Sequence, residues 1–222
     1  MQIEPLGDCA ALIRLGDALD EATHRLVRAA WERLTADPVA GTVDLVPAFT
    51  TLALHYDPAR TGSGAPYEAV RGALERRLER LELDRPAAGK RVEIPVVYGG
   101  PCGPDLEAVA AHAGLSPAEL VRVHTSGDYL VHMVGFAPGF PYLGGMDPLI
   151  ACPRRDTPRT RVPAGSVGIG GRQTGVYPLD SPGGWQIIGR TELRLFDTAA
   201  EPPALLRPGD WVSFLALGTG GA

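Results

Sequence analysis

Between residues 153 and 186 the chain reads PRRDTPRTRVPAGSVGIGGRQTGVYPLDSPGGWQ, which places Arg154, Arg155, Arg159, Arg161 and Arg172 among backbone-exposing glycines. Guanidinium forks match carboxylate and phosphate, and glycine N–H groups in turns can form a concave anion nest. Gly165, Ser166 and Gly170 fall in the same stretch, and Gln173, Thr174, Tyr177, Ser181 and Gln186 add neutral hydrogen-bonding groups. Such a set suits a small anionic or amide ligand. It also suits a loop-rich β-domain whose arginines pair with Asp156 and Asp180 on the surface, and residue chemistry alone leaves both readings open.

A second unusual stretch, FAPGFPYLGG at 136–145, is apolar, uncharged and full of backbone punctuation. Pro138 and Pro141 restrict the backbone, Gly139 permits a sharp reversal, and Phe136, Phe140 and Tyr142 bring apolar area. With Trp185, such a loop can wall a small-molecule pocket or anchor a partner; the alternative is a barrel corner packed on its own core.

Several catalytic signatures fail. AGSVG (164–168) is one residue away from the nucleophile elbow GxSxG, but its flanks are β-like and glycine-rich rather than strand-to-helix. GSVGIGGRQTG has the glycine density of a phosphate loop without the Lys-Ser/Thr that must follow. The histidines His24, His55, His112, His124 and His132 show no ligand spacing, and Cys9, Cys102 and Cys152 form no CxxC pair, so no metal site is expected.

The elements that must position these residues fall into two halves. In the first, ALIRL reads as a short strand. Leu26, Val27, Ala30, Trp31 and Leu34 then repeat at helical spacing behind Asp20 as N-cap. VDLVPAF and TLALHYD read as strands, and Tyr67, Val70, Leu74, Leu78 and Leu81 mark a second helix with Pro66 near its start. This order suggests an α+β, ferredoxin-like domain over residues 1–88. LDRPAAGKR (83–91) is a charged boundary carrying Pro and Gly. Beyond it come the helical DLEAVAAHAG and SPAEL, the latter with a capping box at Ser116 and Glu119. Short strands follow at DYLVHMV, GSVGI, GWQIIG, ELRLF and DWVSFLAL, separated by turns such as SPGG and RPGD. That grammar predicts a closed or sandwiched β-domain over residues 89–222.

Composition bounds the function. The 222 residues carry a net charge of −5, with 45% hydrophobic residues, which gives no overall pull toward nucleic acid or anionic membrane. No stretch approaches the roughly 18 apolar residues a membrane span needs. The N-terminus lacks a signal-peptide pattern, and the cysteine usage suits a reducing cytoplasm.

PVVYGG, GFAPGFPYLGG, PAGSVGIGGRQTGVYP, SPGGWQIIG and LLRPGDWVSF together closely resemble the B subunit of the bacterial ATP-dependent 5-oxoprolinases, most strongly from Ile94 to Phe214. The family is also called allophanate hydrolase subunit 1, and it includes the inhibitor of sporulation kinase A. The resemblance implies a ferredoxin-like N-terminal domain and a cyclophilin-like β-barrel. It implies partners too: the homologous C subunit and the A subunit, which act with this one to open 5-oxoproline to glutamate with ATP. ATP, with its Mg2+, would occupy a site shared with the C subunit. Neither biotin attachment nor the Ser–Ser–Lys amidase arrangement fits, because Lys90 in the linker is the sole lysine. On this reading Arg161, with Arg159 second, holds an anionic group, the 165–175 glycines present N–H donors, and Gln173, Tyr177 and Gln186 position the amide. His124 is the general acid/base candidate because imidazole titrates near pH 6.5. Alternatives are an inhibitor of a sensor histidine kinase and a urea-amidolyase-type carboxyltransferase component.

Overall fold

The computed structural model describes residues 1–18, 20–79, 81 and 89–219. The chain divides into two compact units, Met1–Ala87 and Ala88–Ala222. The boundary expected at 88/89 touches residues outside the described ones.

The first unit holds strands β1 (Gln2–Pro5), β2 (Ala10–Arg14), β3 (Thr42–Pro47) and β4 (Thr51–Tyr56), with helices α1 (Glu21–Ala36) and α2 (Pro66–Leu78). The Asp20 carboxylate accepts the Thr23 N–H at 2.8 Å and starts α1. Val27, Ala30 and Leu34 of α1 and Val70, Leu74 and Leu78 of α2 are buried, and all but Val27 cluster with Ile13, Leu52 and Leu54 of the sheet. Trp31, expected on the buried stripe of α1, is 38% exposed instead. The sheet order is β1-β2-β4-β3, antiparallel throughout. Strand β1 escaped the sequence reading because QIEP is short and carries one strongly apolar residue; pairing Ile3 with Ile13 across the ladder is what makes it a strand.

The second unit contains β5 (Arg91–Tyr98), α3 (Leu106–Ala113), α4 (Pro117–Thr125), β6 (Tyr129–Val134), β7 (Pro141–Gly144), β8 (Arg159–Val162), β9 (Ser166–Gly170), β10 (Gln173–Val176), β11 (Ser181–Gly183), β12 (Gln186–Arg190) and β13 (Trp211–Thr219). Seven strands close a barrel in the order β10-β7-β6-β13-β5-β12-β9. Its ladders are antiparallel except for β5 with β13, which run parallel. Strands β8 and β11 form a separate two-stranded ribbon. Ser116 and Glu119 complete the capping box that starts α4. The expected strand at ELRLF does not form: residues 192–196 contribute a single bridge, Phe196 to Ala204, while Leu195 is buried in the core. Its alternating pattern reflects packing rather than pairing.

Two apolar clusters hold this unit. Ile94, Val96, Val131, Leu143, Val167, Ile169, Ile188 and Phe214 fill the barrel, joined by Leu106 and Val109 of α3 and Leu120 of α4. Phe140, Val162, Tyr177, Trp185 and Ile187 form the second. Each large apolar side chain contributes about 1.5–3 kcal/mol on burial.

Candidate active site

Asp105 stands at the N-cap position of α3, yet its carboxylate makes no capping bond. It turns to the barrel instead: Oδ2 accepts the Ile187 N–H at 2.6 Å, while the Asp105 N–H donates to the Ile187 carbonyl at 2.9 Å. Oδ1 accepts from Arg159 Nη2 at 2.8 Å and from Arg155 Nη1 at 3.3 Å. One buried carboxylate therefore holds two guanidiniums beside β12. Arg159 Nη1 is buried with no hydrogen-bond partner among the described residues.

Above this group opens a cleft of about 600 Å³, lined by Asp105, His112, Cys152, Arg154, Arg155 and Gln186 among others. Its lining segment is held from both sides. Arg155 donates its backbone N–H to the Gly184 carbonyl at 2.7 Å, and Gln186 Nε2 donates to the Pro153 carbonyl at 3.0 Å. Arg154 lies over the Trp185 ring, 5.7 Å from its centroid, and makes no ion pair among the described residues. Burial pushes the Cys152 thiol up, and Asp105 adds to that, which favours the protonated thiol at the cleft wall.

The structure scatters the other sequence candidates. Gln186 lines the cleft and Arg159 stands behind it through Asp105. Arg161 does not line it. Its side chain is 77% exposed on β8 and pairs with Asp180 through Nε at 2.8 Å and Nη2 at 2.6 Å. Asp180 also accepts the Ala164 N–H, and that bond, followed by Arg161, holds its carboxyl below the usual range.

The glycines of 165–175 are no anion nest. Ser166 to Gly170 is a barrel strand paired on both sides, to β10 and β12, and the flanking N–H groups of Gly165, Ser166 and Gly171 donate to the carbonyls of Tyr177, Pro163 and Cys152. Gly170 is needed for packing: a Cβ there would lie 2.6 Å from Trp185 Nε1. Gly165 takes φ +80° where its Cβ would meet the Thr191 carbonyl, and Ser166 is buried. Gln173 begins β10. Tyr177 is core, and its hydroxyl bonds the Trp185 backbone.

His124 is also misplaced by the sequence reading. It is fully buried at the inward face of α4, and burial alone lowers its pKa to about 3. Burial pushes the Tyr98 hydroxyl far above its usual range, so it stays protonated and donates to His124 Nδ1 at 2.8 Å. Thr174 Oγ1 donates to the Gly168 carbonyl at 3.0 Å, which leaves it to accept from His124 Nε2–H at 2.9 Å. Both ring nitrogens are used and neither faces the cleft. The general acid/base expectation gives way to a neutral pin joining α4 to strands β5 and β10.

In the FAPGFPYLGG stretch, Phe140 is buried against Tyr142, Tyr177 and Trp185. Tyr142 and Trp185 flank Arg154 rather than a separate pocket. Pro138 is exposed, and Phe136 stands out 65% exposed at φ +70°, a conformation a bulky side chain rarely adopts. Sequence reasoning missed Asp105, Arg155 as its partner, and His112. Asp105 looks like an ordinary helix cap in PCGPDLEAVAAHAG, and only the tertiary fold brings it to β12.

A closed seven-stranded barrel and a small antiparallel α/β unit in one chain define a carboxyltransferase module. The family model "Carboxyltransferase domain, subdomain C and D" matches residues 1–206. Within that class the chain belongs to the family of 5-oxoprolinase B subunits: it is 48% identical to the 5-oxoprolinase B subunit of Bacillus subtilis (strain 168), over 97% of this chain and 92% of that one. A crystal structure of TTHA0988 superposes with a TM-score of 0.81 at 40% identity, covering 96% of this chain and 40% of that longer chain. The urea amidolyase of K. lactis shares the fold at a TM-score of 0.79 and 19% identity, over 97% of this chain and 15% of that one.

Proposed function

We propose that this chain works as the B subunit of an ATP-dependent 5-oxoprolinase, inactive alone and active with the C and A subunits in the cytoplasm. The observation that carries the reading is the 48% identity, over nearly the whole chain, to a protein named for that role. We also read the first unit, residues 1–88, as ferredoxin-like and the second, 89–222, as cyclophilin-like. The support for the first is its sheet order, in which the N-terminal β1 fills the edge position that a βαββαβ unit gives to its last strand.

Opening a lactam is difficult because the amide carbonyl is a poor electrophile, and phosphorylation by ATP would activate it. This chain's part is to hold and orient the substrate and exclude stray water at the Arg154–Arg155–Gln186 cleft. The glycine stretch is committed to ladders and offers no phosphate cradle, so this reading gives ATP and its Mg2+ to a site completed by the C subunit. The exposed, strained Phe136 is the natural anchor for that partner.

Purified subunits mixed singly and together, followed for glutamate release from 5-oxoproline with ATP, test the reading. Activity is expected only in the full mixture; none in any combination sinks it. The carboxyltransferase family match favours one rival, carboxyl transfer, which requires a separate biotin carrier and would show as carrier-dependent carboxylation.

A further inference from the structure

Asp105 forgoes its helix cap to hold two arginines, and one carboxylate leaves a pair of guanidiniums under-neutralised. Arg154, the neighbour of Arg155, adds a third cation that meets no carboxylate among the described residues. Bonds at Pro153 and at Arg155 anchor the backbone that carries these two exposed arginines, and the Asp105 pair and the Trp185 ring limit where their side chains turn.

We infer that the cleft binds the carboxylate of a small monoanionic ligand through Arg154 and Arg155, with Asp105 as the positioning residue that presents Arg155. A monoanion fits better than a phosphate dianion because Asp105 and Asp156 line the same cleft and repel the second charge. The paired donor edge of a guanidinium matches the two oxygens of a carboxylate. The Trp185 ring behind Arg154 limits the directions in which its guanidinium can turn. The volume of about 600 Å³ admits a small ring compound with room to spare for a partner's residues. The inference deepens the 5-oxoprolinase reading and rests on it only for the choice of 5-oxoproline as the first probe.

Calorimetric titration of the full chain tests it, with 5-oxoproline, with 2-pyrrolidinone (the same ring without the carboxylate), with proline-sized monocarboxylates and with inorganic phosphate. The expected result is saturable binding of 5-oxoproline, with 2-pyrrolidinone and phosphate at least about tenfold weaker. Arg154→Gln and Arg155→Gln should each weaken 5-oxoproline binding roughly ten- to a hundredfold, the first without lowering Tm and the second with a cooperative melt retained. Asp105→Asn should weaken the carboxylate ligand while leaving 2-pyrrolidinone unchanged, a split that a general loss of structure would not give. Should that buried substitution unfold the chain, the two arginine variants still decide the matter. Wild-type affinity in both arginine variants, equal binding of 2-pyrrolidinone, tighter binding of phosphate, or no binding of any probe overturns the proposal. Arginine-dependent binding of other monocarboxylates but not 5-oxoproline upholds the site and rejects the 5-oxoprolinase reading. Unchanged KM for 5-oxoproline in a reconstituted complex carrying both arginine variants rejects the site and upholds that reading.

Discussion

His124 is neutral and enclosed, and its solution behaviour follows from that. Its pKa falls from an ordinary 6.5 to about 3 in the fold, with burial as the cause. At pH 7 the folded form is neutral and the unfolded form largely so. Below about 6.5 the unfolded chain takes up a proton that the folded chain refuses until about pH 3. Stability should therefore fall with falling pH across that window, by up to about 1.4 kcal/mol per pH unit from this group. Urea unfolding of wild type and His124→Gln between pH 7 and 5 should show a flatter pH dependence in the variant; identical slopes would contradict the buried neutral pin. The histidine's position in SPAELVRVHTSG gave no sign of this. Its partners Tyr98 and Thr174 lie 26 and 50 residues away and meet it only across the barrel.

At the scale of elements, the segment before β7 carries a conflict between backbone and side chain. Gly135 N–H bonds the Phe140 carbonyl and Phe140 N–H bonds the Ala137 carbonyl, so the tip closes tightly with Phe136 at φ +70°. The Phe136 ring meets Phe140 edge-on, with centroids 5.6 Å apart. Phe136→Gly and Phe136→Ala lose the same ring, but only glycine relieves the backbone. The glycine variant should be the more stable of the two by about 1 kcal/mol in chemical denaturation, and the reverse order would mean that φ carries no strain. Both variants should lose copurification with the C subunit if Phe136 is the anchor. Phe140, by contrast, belongs to the core, and truncating it would test folding rather than association. The aromatic content of this stretch was legible in the sequence, but which ring stands outside was not, because proline and glycine announce a turn without saying which side faces the barrel.

At the scale of the whole chain, each unit closes its own apolar core: Ile13, Leu34, Leu54 and Leu74 in the first, the barrel and Trp185 clusters in the second. Residues 89–222 expressed alone should therefore fold, with native near-ultraviolet circular dichroism and a cooperative melt. A non-cooperative transition would show that the barrel depends on the first unit. Among the described residues no helix is long and apolar enough to cross a membrane.

The sequence by itself determined the local grammar. Asp20 and Ser116 set helix starts, the stripes of α1 and α2 chose most of their buried faces, and the density of turns implied a β-domain, because caps and periodicity act within a few residues of one another. Only the tertiary structure decided that β13 joins β5 in parallel, that β9 is a strand rather than a phosphate loop, and that the cleft is built on Asp105 instead of Arg161. Those outcomes depend on pairings between residues far apart in the chain, and a hydrogen bond from residue 187 to residue 105 leaves no trace in the neighbours of either.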